Sequence, residues 1–117
     1  MSGGYERAAR AVFVETLQDG ARAAGDGAAI DMRGIRGLTL EVSGDFTGQV
    51  AFEASITEGA YHPVHLIRAV DGTPQSTAIA PGLYCLPATH REWRSLRARV
   101  SALARGAATV RVLKSYG

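Results

Sequence analysis

Apolar and polar residues alternate with a period of two over several stretches of this chain, and that pattern commits it to half-buried β-strands more firmly than any other feature. In Leu38-Thr39-Leu40-Glu41-Val42-Ser43 the apolar side chains fall on one face, and further on Val50, Phe52, Ala54 and Ile56 alternate with Gln49, Ala51, Glu53 and Ser55. Leu96, Ala98, Val100 and Ala102 repeat the pattern against Arg97, Arg99 and Ser101, and Thr109, Arg111 and Leu113 alternate with Val110 and Val112. Gly44-Asp45-Phe46-Thr47-Gly48 lies between the first pair of runs and Arg105-Gly106 between the second. Glycine-containing breaks of this kind predict tight turns, hence two antiparallel hairpins, each with a buried and a solvated face.

Weaker signals fill in the rest. Val12-Phe13-Val14-Glu15-Thr16-Leu17 is β-branched and aromatic enough for a first strand, closed by a turn at Gln18-Asp19-Gly20, and Ala29-Ile30-Asp31-Met32 predicts a short second one. Residues 61–70 read as a strand interrupted by Pro63, which marks an edge or a bulge. Residues 76–80 and 83–86 are extended pieces around Pro81-Gly82, and residues 87–92 form a loop. No long stretch has helical periodicity. The expected architecture is all-β: an antiparallel β-sandwich of about eight short strands, jelly-roll-like, with a flexible N-terminal arm. With 117 residues a single core is expected, so residues 1–11 are assigned to the arm and residues 12–117 to one domain.

Composition excludes some functions. A hydrophobic fraction of 46% with 21% charged residues argues against global disorder. A formal charge of +2 is too small to argue nucleic-acid binding, and no stacking aromatics interleave with the arginines. The opening residues lack an apolar signal core and no stretch has the ~18 apolar residues of a membrane span, so synthesis in the cytoplasm and no membrane partner are expected.

The search for chemistry finds little. The single cysteine, Cys85, lies in Leu-Tyr-Cys-Leu, the context of an inert strand residue, and has no second cysteine to pair with. His62 and His65 are spaced so that a strand points them to opposite faces, and His90 falls in a charged loop. No serine lies in Gly-x-Ser-x-Gly, and no glycine run follows a phosphate-binding pattern. The expectation is therefore no catalytic residue, no metal, no cofactor and no enzyme. The contact candidates are arginines. Arg97 and Arg99 on one strand, Arg111 on its expected hairpin partner and Arg105 at the turn would form a basic stripe suited to an acidic partner surface, against the simpler reading of a charge-protected sheet face. Tyr5, Arg7 and Arg10 of the arm join them as candidates, and Tyr61 and Trp93 are candidate aromatic anchors.

The run from Leu38 through Ile56 resembles a pattern recurrent in small β-sandwich structural proteins of tailed bacteriophages. Ala80-Pro81-Gly82-Leu83-Tyr84 resembles their mid-chain turn, and residues 96–102 with Gly106-Ala107-Ala108-Thr109-Val110 resemble their closing hairpin. The resemblance covers roughly residues 29–113, with the Cys85 strand and the loop from Pro87 to Trp93 as departures. It implies a virion protein, above all a capsid decoration (cement) protein bound to the major capsid protein and to its own copies as a homo-oligomer, with a trimer as one form. A tail or connector component is the alternative. A looser similarity to discoidin-like and carbohydrate-binding jelly rolls implies a further one, a sugar-binding module with Trp93, Tyr61 and Tyr84 as stacking residues.

Overall fold

The computed structural model describes residues 11–57, 59–88 and 92–116, and no α-helix occurs among them. Eleven strands follow in order: β1 (Ala11–Ala21), β2 (Ala29–Asp31), β3 (Ile35–Ser43), β4 (Phe46–Ser55), β5 (His62–Pro63), β6 (Leu66–Arg68), β7 (Pro74–Gln75), β8 (Thr77–Ala78), β9 (Gly82–Cys85), β10 (Ser95–Gly106) and β11 (Ala108–Tyr116). One sheet has six strands in the order β1-β11-β3-β9-β6-β7, the other five members with the order β2-β10-β4-β5 and β8 also pairing with β4. All pairings are antiparallel. The expected all-β sandwich is what the chain forms, with more strands than expected: residues 61–70 divide into β5 in one sheet and β6 in the other, and β7 forms at Pro74–Gln75, outside the expected strands.

The hairpin expectation fails in an instructive way. β3 and β4 do not pair with each other, nor do β10 and β11. Instead β3 pairs with β11 from Ile35↔Tyr116 to Thr109↔Ser43, and β4 pairs with β10 from Gly106↔Phe46 to Ser95↔Ser55. The two long segments thus form one antiparallel ribbon that bends midway and passes from one sheet into the other. The bend sits at Gly44 (φ 107°) and Gly106 (φ 87°), conformations costly for a residue with a Cβ. Ala107 N donates to Asp45 O at 3.1 Å across the bend. A Cβ on Gly44 would strike the Ala107 carbonyl, and one on Gly106 the Asp45 carbonyl. Glycines at a fold of the ribbon look in sequence like glycines at its hairpin tips.

The alternation itself is sound. Leu38, Leu40, Val42, Val110 and Val112 from one sheet meet Val50, Phe52, Ala54, Leu96, Ala98 and Val100 from the other in a buried core. Phe52 and Tyr84 close on each other with ring centroids 4.9 Å apart. Each fully buried Leu or Phe contributes about 1.5–3 kcal/mol. Two positions expected inside are not: Ile56 lies beyond the end of β4 and is 70% exposed, and Ala102 is exposed because the register slips between Val100 and Ala102. Gln18, expected in a turn, lies within β1 where the register also shifts. It is buried, and its amide donates to Ala98 O at 2.9 Å and Gly25 O at 3.1 Å, linking the two sheets.

Candidate binding surfaces

Period-two alternation places Arg97, Arg99 and Glu53 on the outer face of the five-stranded sheet, with Arg97 directly opposite Glu53. Arg97 Nε donates to Glu53 Oε1 at 2.8 Å and Arg99 Nε to Oε2 at 3.1 Å, so one carboxylate holds two guanidinium groups. The Arg97 guanidinium also lies 4.0 Å from the centroid of the Tyr61 ring and 3.4 Å from Asp26. The Tyr61 hydroxyl shares a hydrogen bond of 2.9 Å with Ser95 Oγ. Glu53 is consequently buried although it points away from the core.

The basic stripe of the sequence reading does not form. Arg97 and Arg99 share a face, but Arg111 belongs to the other sheet, where it stands opposite Glu41 and Thr16. Arg105 lies at the bend, with Nε 3.5 Å from Thr47 Oγ1. Tyr5, Arg7, Arg10 and His90 lie outside the described residues. The physical reason is the bent ribbon, which separates β10 from β11.

Several shallow hollows break the surface, one of them at the bend between Asp45 and Arg105 and three others elsewhere. One of about 240 Å³ lies beside Tyr61, lined by Ala29, Ile30, Asp31, Arg33, Arg94 and Ser95. Hydrogen bonds from the Arg33 side chain and backbone N–H lower the pKa of its acid, Asp31, to about 2, so the carboxylate is ionised at neutral pH. The second, about 350 Å³, gathers Ile56, His62, Val64 and half-buried Trp93. The third, about 440 Å³, runs along Val70, Pro81 and Leu83. His62 and His65 are both exposed, and no group of three His, Cys, Asp or Glu is placed to hold a metal among the described residues. Thr57 and His62 line the second hollow and Asp31 and Ser95 the first, but in neither pair are the side chains hydrogen-bonded to each other, and the Ser95 hydroxyl is paired with Tyr61. What they offer is contact surface.

A further surface had no signal in the sequence reading. Cross-strand partners on the outer face of the six-stranded sheet run Val14, Leu113, Thr39, Cys85, Ile67, Pro74, one residue per strand. Only Thr39 in that row is polar. Val14 is 65% exposed and Leu113 47%. Cys85 lies half-buried in this row, on the outer face of its strand rather than in the core. The next row, Thr16, Arg111, Glu41 and Leu83, sets the opposite charges of Arg111 and Glu41 on neighbouring strands. Exposed apolar rows of this kind mark association surfaces more often than catalytic ones.

No protein-family model matches the sequence, and no curated protein matches it. Solved structures do. The crystal structure of the SPBc2 prophage-derived protein YomS superimposes with a TM-score of 0.82 at 17% identity, over 91% of this chain and 94% of that one. The fold is one that phage-derived proteins use. The crystal structure of the PBSX exported protein XepA superimposes with a TM-score of 0.83 at 20% identity, over 92% of this chain and 38% of that one. This chain therefore spans well under half the length of XepA, in which the fold forms one part of a larger protein.

Proposed function

We propose that this chain is a non-catalytic structural protein of a phage particle, a decoration protein that contacts the major capsid protein and its own copies. The observation that supports the reading most is the superposition on YomS over nine-tenths of both chains, since that protein is prophage-derived. The surface is consistent with it: the row from Val14 to Pro74, exposed at Val14, Leu113 and Pro74, offers apolar contact area. Decoration works through many weak contacts multiplied by symmetry, which a rigid sandwich without a deep pocket can supply.

The test is to assemble particles of the encoding phage without this chain and add the purified protein back. Saturable co-sedimentation with the heads, at a fixed number of copies per head, is the expected result. Binding to tails alone would move the assignment to a tail or connector component. A second reading has its own observation, because XepA is described as an exported protein. On that reading the chain acts free of the particle, and it would stay in the supernatant in the same experiment.

A further inference from the structure

The strand edges of this sandwich differ sharply in how they are protected. β7, β5 and β8 are two residues long and β2 three, and both β5 and β7 contain a proline. β10 beyond Val100 is open on one side, yet its register slips twice there and it carries Arg105. Short length, proline, bulges and charge are the usual means by which natural sheets keep their edges from pairing. The second half of β1 has such protection: its register shifts after Thr16 and again after Gln18, and Ala28 N donates to Leu17 O at 3.0 Å along the edge. Residues 11–16 form a longer edge than those short strands, have no proline or register shift, and carry one charge, Glu15; among the described residues nothing pairs with their outer side. They keep an unbroken register with β11 on one side and form the edge of the sheet on the other.

Apolar groups flank this open edge on both faces. Phe13 is 51% exposed on the side of Lys114, and Val14 with its cross-strand neighbour Leu113 is exposed on the outer side. The single acid in the stretch, Glu15, is ion-paired with Lys114 of the adjoining strand. We infer that residues 12–16 of β1 pair antiparallel with the same residues of a second copy of this chain, about a two-fold axis at Val14. In that register Val14 meets Val14 of the second copy, and each Phe13 meets a Glu15 whose charge Lys114 already offsets. Residues of like parity face each other, so every outward-pointing backbone group finds an outward-pointing partner. The outer row then becomes continuous across the axis, Leu113 and Val14 of one copy abutting Val14 and Leu113 of the next. Second copies are favoured over a foreign strand because the edge is its own complement in this register: apolar meets apolar at the centre and no like charges are opposed.

The pairing deepens the self-association part of the decoration reading, and it is measured on purified protein, so its failure is separable from failure to bind heads. A ladder this short belongs to the small end of interface sizes, below about 1,200 Å² in total, so association is weak. The experiment is sedimentation equilibrium of the full chain up to about 100 μM, with Val14→Lys, Val14→Glu and their equimolar mixture. Val14 is exposed in the monomer, so both variants fold, which thermal melts verify. The wild type forms dimers, and each variant alone weakens them at least about tenfold by setting like charges opposite each other. The mixture restores association. A wild type that stays monomeric would overturn the inference, as would variants that dimerise like the wild type or a mixture that stays dissociated.

Discussion

At the scale of single residues, the informative groups are charged ones placed where water is scarce. Glu53 is 6% exposed yet points outward, held by two arginines, one of which packs on the Tyr61 ring. Replacing it leaves Arg97, itself largely covered, with exposed Asp26 as its one remaining acid among the described residues, beside the Tyr61 ring. We expect Glu53→Ala to cost about 2–3 kcal/mol in urea denaturation, because an uncompensated covered charge is worse than a missing contact. Arg111→Ala, at an exposed site, should stay within about 0.5 kcal/mol. Lys114 gives a pH-dependent counterpart. Burial alone would lower its pKa, but the Glu15 carboxylate and Tyr116 hydroxyl outweigh that and hold it above the usual 10.5. Since the raised value belongs to the folded state, the stabilisation is complete below pH 10.5 and is lost as pH rises through the folded-state value. Tyr84, whose pKa burial raises, loses stability in the same direction. The stability of wild type relative to Lys114→Met should therefore be flat in mildly alkaline buffer and fall above pH 10.5, whereas a flat difference throughout would remove the assigned role.

At the scale of elements, the bent ribbon organises the molecule. Its bend needs a backbone with φ of 107° at Gly44 and 87° at Gly106, and at each place a Cβ would meet a carbonyl from the other arm. Gly44→Ala and Gly106→Ala should each destabilise the protein by about 2–4 kcal/mol, the sum of left-handed strain and displaced backbone. Gly72 has a similar φ of 73° but open space around it, so Gly72→Ala should cost only about 1–2 kcal/mol. Equal costs at all three sites would show that the two arms do not nest at the bend. The same element shows where the sequence was legible. Alternation identified the inward residues of β3, β4, β10 and β11 because burial follows the period of the strand regardless of its neighbours. Pairing was not legible, because the Gly44 and Gly106 breaks carry the same local chemistry whether the chain doubles back or passes into a second sheet. Ala102 was misplaced because a bulge shifts the period by one residue and leaves no mark in composition, and Gln18 because the turn-like Gln18-Asp19-Gly20 lies inside an irregular stretch of β1 that continues to Ala21.

At the scale of the whole molecule, two sheets present unlike outer faces. One is polar, its arginines tied to Glu53, and the other carries the apolar row from Val14 to Pro74. Neither face could be read from the sequence, since a face requires the strand order, and the order β1-β11-β3-β9-β6-β7 joins residues from opposite ends of the chain. Arg97, Arg99 and Arg111 illustrate the loss: all three were legible as outward residues, but their distribution over two sheets was not. A particle component should use the apolar face and spare the polar one. On the proposed decoration role, Leu113→Lys should weaken retention on heads at least about tenfold while leaving the melting temperature within a few degrees, and Arg99→Ala should leave retention unchanged.

The most direct test of the proposed decoration role is the number of copies of this chain per particle in a purified preparation from a source of its gene, by quantitative mass spectrometry against the major capsid protein. A fixed stoichiometric ratio that survives repeated banding is the result expected of a structural component. Recovery of the chain only from the particle-free medium would contradict it.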